Sequence, residues 1–139
     1  MHSAARHLVF HGSVVLLFGL LLGGPYARAI QRGAPAHIIN SWRVAHLSLP
    51  IGATLMFAVA ALLSSLNVSA LVTWVIALAL IVSAYGFCVS TPLAALTGQR
   101  GLSSDGTGMG KLVYLGNIVG AVASVVGAAV FMVAAFLSL

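Results

Sequence analysis

Histidine is the residue type in this chain best suited to binding a metal or transferring a proton, because five histidines stand against one aspartate and no glutamate. His7 and His11 are four residues apart, so on a helix they share one face and could hold a metal or hydrogen-bond to water at a membrane surface. No third or fourth ligand is evident near them in the sequence. His2 and His37 lie outside the apolar segments, and we expect both to be solvated.

His46 lies about one helical turn inside an apolar segment. Pro50 follows four residues later and has no N–H to donate to the His46 carbonyl, so we expect a bend that opens space beside the imidazole. An imidazole just below a membrane surface with arginines nearby suits haem. Its nitrogen would bind the iron, and Arg28, Arg32 or Arg43 could pair with the propionates. The alternative is a histidine that is hydrogen-bonded to a neighbouring helix.

A second axial ligand is not expected from the same chain. His11 and His46 belong to antiparallel segments and lie toward opposite membrane surfaces, which separates their depths by roughly 15–20 Å at the rise of a helix. One histidine with an open sixth position on the iron would favour ligand binding or catalysis over simple electron transfer.

Four apolar segments must position these residues, at approximately 7–24, 44–66, 69–90 and 112–139. Each is long enough to cross a hydrocarbon core about 30 Å thick. We therefore predict an all-α fold, a four-helix transmembrane bundle in which residues 1–139 form a single integral membrane domain. The first segment also resembles a signal peptide, because Arg6 precedes it and Ala27-Arg28-Ala29 resembles a cleavage site. Its length favours a membrane span.

The composition supports a lipid environment, since 61% of the residues are hydrophobic and only 5% are charged. Soluble domains carry about 25% charged residues. The net charge of +5 is not clustered with aromatic residues, so nucleic-acid binding is not expected. The one acid, Asp105, lies in a Gly/Ser-rich loop, which excludes paired-carboxylate chemistry and weakens a proton-coupled transport function.

The basic residues predict an orientation. Five of the six lie in two long loops, residues 25–43 and 91–111, and Lys and Arg favour the cytoplasmic side. We expect an integral protein of a bacterial inner membrane with both long loops cytoplasmic and both termini outward. Gly116 and Gly120, followed by small residues at Ser124, Gly127 and Ala128, allow close helix packing either within the chain or between subunits. Because four spans are few for a membrane enzyme, we expect a homo-oligomer.

Several short motifs occur in an order that resembles the styrene oxide isomerase family of small membrane enzymes. They are His11-Gly12, Leu17-Phe18-Gly19, Trp42-Arg43-Val44-Ala45-His46, Tyr85-x-Phe87 with Pro92, and Arg100-Gly101-Leu102 followed by a glycine-rich stretch to Gly110. The resemblance runs over most of the chain.

The resemblance implies a homotrimer that binds haem b near the subunit interfaces. His46 matches the family's axial ligand to the iron, Trp42 belongs to the same motif and is assigned to the cofactor site, and Tyr85 matches the active-site tyrosine. The implied reaction opens a small apolar epoxide and shifts a hydride to give a carbonyl compound, with ferric iron acting as a Lewis acid.

One position departs from the family pattern. The family has an asparagine six residues after the ligating histidine, where this chain has Gly52, and we assign Asn117 as the candidate replacement. Two other functions stay open at this point. One is a haem-binding electron-transfer or sensor subunit without epoxide turnover, and the other is a haem-free transport or packing protein.

Overall fold

The computed structural model describes residues 3–104 and 108–139. Within them the chain is helical and has no strand. The helices are α1 (Ser3–Leu21), α2 (Gly23–Gln31), α3 (Ala36–Leu63), α4 (Ala70–Thr97) and α5 (Met109–Phe136). α1 and α2 follow each other with only Leu22 between them and together form one span. This gives four helical spans that are long and apolar enough to cross a membrane, which confirms the predicted all-α transmembrane architecture.

Each of the four spans extends beyond its predicted apolar segment at one end at least. α3 already begins at Ala36, and α4 continues past Pro92 to Thr97, where Gly98 ends it with a φ of 70°. Both Pro50 and Pro92 lie inside helices. Apolarity marks where a helix enters lipid, whereas backbone hydrogen bonding continues until a residue such as Gly98 ends it.

The packing of the helices is uneven. α1, α3 and α4 all contact one another, and α2 packs on α3, whereas among the described residues α5 contacts only α4. α4 is therefore flanked by α3 and by α5. This arrangement leaves a cleft between α3 and α5 with α4 at its floor.

The glycines of α5 are used inside the chain. A Cβ at Gly116 would lie 2.9 Å from the Gly86 carbonyl oxygen, and a Cβ at Gly120 would lie 2.9 Å from the Phe87 ring. The buried Ser83 hydroxyl also donates a hydrogen bond of 2.8 Å to the Gly120 carbonyl. Gly116 and Gly120 of the small-residue motif thus pack α5 against α4 within the chain.

A second close contact joins α1 to α3. A Cβ at Gly19 would lie 2.8 Å from the Leu49 Cβ and 2.5 Å from the Pro50 Cδ. Only glycine permits this approach. It brings the last turn of α1 against the part of α3 that carries His46.

Candidate functional site

The His46 imidazole is fixed by a backbone group. Its Nδ1 lies 2.9 Å from the carbonyl oxygen of Gly19, in the last turn of α1, where helix carbonyls lack an intrahelical partner. A carbonyl oxygen only accepts, so Nδ1 must carry the hydrogen. In the neutral ring the lone pair then resides on Nε2. The structure therefore offers one imidazole nitrogen that can bind a metal.

Gly23 makes room for this ring. A Cβ at Gly23 would lie 3.1 Å from the His46 Cε1, closer than a side chain would ordinarily pack. The Tyr26 ring lies nearby, with ring centroids 6.1 Å apart and the planes tilted by 32°. The start of α2 and the last turn of α1 together hold the imidazole, which is half-buried.

The remaining residues of the predicted cofactor site differ in their placement. Arg28 and Arg32, on α2 and the turn that follows it, are exposed, as is Arg43 one turn before His46 on α3. Trp42 is only 8% exposed and belongs to the hydrophobic core. The arginines are thus accessible to a bound anion, whereas the structure places Trp42 in helix packing.

Tyr85 does not lie beside His46. Its hydroxyl is 2.9 Å from the Nδ1 of His11, and the two rings meet edge to face with centroids 5.6 Å apart. His11 precedes Gly19 by about two turns, so Tyr85 lies roughly 12 Å along α1 from the level of the His46 hydrogen bond. The structure therefore separates the two residues that the sequence assigned to one site.

The residues around His11 do not form a cluster for a bare metal ion. His7 stacks on His11 with ring centroids 6.0 Å apart, and Trp74 lies against His7. Among the described residues, no group of three or more His, Cys, Asp or Glu side chains could hold a metal. A single imidazole such as His46 instead suits a metal that a cofactor already holds by its other ligands.

A cavity of about 430 Å³, here called the lateral cleft, lies between α3 and α5 over α4. Sequence reasoning missed it, although five polar side chains in otherwise apolar helices are a signal of such a cavity. Gly52 also lines it. The polar lining residues are Ser48, Ser83, Thr91, Asn117 and Ser124.

His46 faces away from the lateral cleft. Val44, Ser48 and Gly52 line the cleft from α3. His46 lies two residues after Val44 and two residues before Ser48. Two residues correspond to roughly 200° around a helix. His46 and the cleft therefore lie on opposite faces of α3.

Asn117 lies where the lateral cleft meets a second, smaller cavity of about 270 Å³, here called the polar mouth. Its Nδ2 donates to the carbonyl oxygens of Arg100 and Gly101, at 3.2 and 3.4 Å. The two donor hydrogens of the amide thus hold the loop before α5, which leaves Oδ1 as an acceptor. The polar mouth is also lined by His37, Asn40, Ser41 and Arg100.

The comparison with known families is consistent with the resemblance in the motifs. A family model described as styrene oxide isomerase matches residues 4–136, nearly the whole chain. No curated protein sequence matches the chain.

Proposed function

This chain belongs to the styrene oxide isomerase family, and on that basis we propose that it is a haem b-dependent membrane isomerase that converts an epoxide to a carbonyl compound. The observation that carries the proposal is the His46 imidazole, whose Nδ1–H is held by the Gly19 carbonyl so that Nε2 can bind iron. Metal-binding histidines commonly donate their other N–H to a carbonyl or carboxylate, which fixes the tautomer and the ring orientation.

The surroundings of His46 fit a haem. A porphyrin supplies four of the metal's ligands, so one imidazole is enough to hold it. The exposed guanidinium groups of Arg28, Arg32 and Arg43 can pair with carboxylate groups such as the propionates. When bound, ferric haem would supply a Lewis acid for the epoxide oxygen.

The proposed reaction is an isomerisation. One epoxide C–O bond breaks, a hydride moves from the carbon that keeps the oxygen to the neighbouring carbon, and the C–O bond becomes C=O. Substrate and product have the same atoms and electrons, so no reductant or water is consumed. Apolar surroundings favour this outcome because they keep water away from the electron-deficient carbon. We propose that Tyr85 positions the substrate and that Asn117, whose Nδ2 is bonded to the loop carbonyls, lines the binding site as a hydrogen-bond acceptor.

His46 and the lateral cleft lie on opposite faces of α3, which supports a site that is shared between subunits. Within one chain, the face that carries His46 and the face that carries Gly52 and Asn117 point in different directions. We propose a homotrimer, as the resemblance implies, in which each haem lies between the His46 of one copy and the neighbouring copy.

The membrane orientation is also a proposal. The loop arginines and Lys111 support an inner-membrane protein with both long loops in the cytoplasm and both termini outward. In a Cys88→Ala background, an impermeant maleimide added to intact cells should label Ser65→Cys and leave Gln31→Cys unlabelled. The reverse pattern would overturn the orientation. Both positions are exposed in the structure.

Absorption spectroscopy tests the cofactor assignment directly. Detergent-purified protein should show a Soret band that His46→Ala abolishes and added imidazole restores. His37→Ala, which removes an exposed imidazole from the first turn of the same helix, should keep the band. Haem-loaded protein should then isomerise an epoxide without reductant. If haem-loaded protein leaves a broad panel of aryl and alkyl epoxides unchanged, the proposed reaction is wrong although the cofactor assignment stands. A colourless preparation from haem-replete cells would contradict both the cofactor assignment and the reaction.

A further inference from the structure

The lateral cleft has the size and lining of a small-molecule pocket. Its volume of about 430 Å³ is roughly three times that of the cavity, about 150 Å³, that holds one benzene ring in a protein core. Ligand pockets generally run from about 300 to 1,000 Å³ and are mostly apolar, with a few polar groups that fix orientation. By this measure the cleft suits a ligand larger than a single aromatic ring.

The charges around the cleft indicate a neutral ligand. Among the residues that the structure describes, no charged side chain lines the cleft, and Arg100 lies in the adjoining polar mouth. An ionised ligand within the cleft would have to leave water without a partner, which is strongly unfavourable. A neutral molecule with one or a few oxygen atoms has no such penalty.

Ser48 is the polar group of the cleft that remains available to donate. The other hydroxyls that line the cleft already donate to backbone carbonyls, Ser83 to Gly120, Thr91 to Phe87 and Ser124 to Ala121. No hydrogen bond joins the Ser48 hydroxyl to another residue that the structure describes. The Asn117 amide has its donors on the loop carbonyls, so it can accept a hydrogen bond but not donate one to a ligand.

Gly52 sets the width of the cleft beside Ser48. It lies one turn further along α3 on the same face, and a Cβ at Gly52 would meet no atom within 4 Å. A larger side chain there would extend into the cleft without pressing on a neighbouring helix. The ligand space therefore exists because this position has no side chain.

We propose that the lateral cleft is the substrate pocket and that it takes a neutral, apolar epoxide larger than one aromatic ring, whose oxygen accepts a hydrogen bond from Ser48. Gly52 is then the residue that determines substrate size. The identity of the ligand as an epoxide rests on the proposed function, whereas its size, neutrality and hydrogen bond rest on the cleft alone.

Binding of an unreactive analogue tests the pocket without requiring turnover. The probe is a cyclic ether with two fused rings and one oxygen, titrated into detergent-purified protein by calorimetry. Gly52→Leu should weaken its binding at least tenfold, and Ser48→Ala by about three- to tenfold, the value of one hydrogen bond. Ser48→Thr keeps the hydroxyl and should recover most of the affinity that Ser48→Ala loses. Ala58→Leu, which places the same side chain at an exposed position of α3 outside the cleft, should bind the ether normally.

Turnover measurements separate this inference from the proposed function. In wild-type protein, kcat/KM should be higher for a two-ring epoxide than for a one-ring epoxide, and Gly52→Leu should reverse that order. If wild type binds the ether but turns over no epoxide, the pocket stands and the reaction is wrong. If it isomerises epoxides and neither Gly52→Leu nor Ser48→Ala changes binding or substrate preference, the cleft is not the pocket. The pocket assignment would also be overturned if Ala58→Leu lost ether binding to the same extent as Gly52→Leu.

Discussion

Two imidazoles are hydrogen-bonded to neighbouring helices, and they differ in the group that holds them. His46 Nδ1 is bonded to the Gly19 carbonyl, whereas His11 Nδ1 is bonded to the Tyr85 hydroxyl, each at 2.9 Å. A carbonyl can only accept, so His46 has one neutral tautomer in this setting. A phenol can donate or accept, so both tautomers of His11 remain possible. The Gly19 carbonyl therefore leaves Nε2 of His46 as the nitrogen that can bind a metal. The hydrogen bond between His11 and Tyr85 allows its proton to lie on either residue.

The packing around the His46 ring is also more rigid than the packing around the His11 ring. Gly19 brings backbone against α3, where any side chain would collide, and Gly23 lies so close to the His46 ring that an added Cβ would press on it. Around His11 the neighbours are the rings of His7, Phe10 and Tyr85, which can turn, and Tyr85 is 38% exposed. A fixed imidazole suits metal binding, and an adjustable pair suits contact with a substrate.

Gly19→Leu should have the largest effect, because it removes the arrangement that holds His46. The new Cβ would lie 2.8 Å from the Leu49 Cβ, and atoms so close to the α3 backbone cannot turn aside. Overpacking of this kind costs about 1–3 kcal/mol or more, and it would move the Gly19 carbonyl away from the imidazole. We expect a lower melting temperature in detergent and at least a tenfold loss of bound haem by Soret absorbance. Gly24→Leu, at a position with no atom within 4 Å of a Cβ, is the control and should change neither.

Gly23→Ala should act on the ring alone. The added methyl would lie 3.1 Å from the His46 Cε1, so the ring must shift by a few tenths of an ångström. A strain of about 1 kcal/mol corresponds to about fivefold weaker haem binding, with the melting temperature of the haem-free protein unchanged. Haem titration of Gly23→Ala against Gly24→Ala measures this. Equal affinities would mean that the close contact does not constrain the bound ring.

Mixed oligomers test whether the two regions act on one substrate from different copies. His46→Ala and Tyr85→Phe subunits are each expected to be inactive or nearly so, and they are co-expressed with different tags and purified as mixed assemblies. If one copy's His46 works with another copy's Tyr85, each mixed trimer has one intact site, which is about a third of its sites. Activity no higher than that of the parents would instead place both residues of a working site in the same chain.

The sequence predicted the helices well and the site only in part. Apolar length and the scarcity of charge determine the number of spans, and the order Trp42 to His46 indicates the likeness to a family. Neither the apolar length nor the motif predicts which helix faces pack against each other. The lateral cleft depends on α5 packing against α4 alone, through glycine contacts such as Gly86 with Gly116. The pairing of Tyr85 with His11, rather than its approach to His46, likewise depends on the relative depth of two helices.

Variants of His11 should have the smallest effect, and they test whether the phenol is held by a particular atom. His11→Leu removes the partner of the Tyr85 hydroxyl, whereas His11→Asn can place an amide nitrogen near the position of Nδ1. One lost hydrogen bond of about 1 kcal/mol would lower kcat about threefold to tenfold in His11→Leu, with KM little changed, and His11→Asn should recover most of it. The tyrosine doublet in ultraviolet resonance Raman spectra reports the hydrogen bonding of the phenol. Its Tyr85 contribution, identified with Tyr85→Phe, should shift in His11→Leu and return in His11→Asn. A merely space-filling His11 would make leucine the better substitute and leave the doublet unchanged, and then the His11–Tyr85 pair would have no part in positioning the substrate.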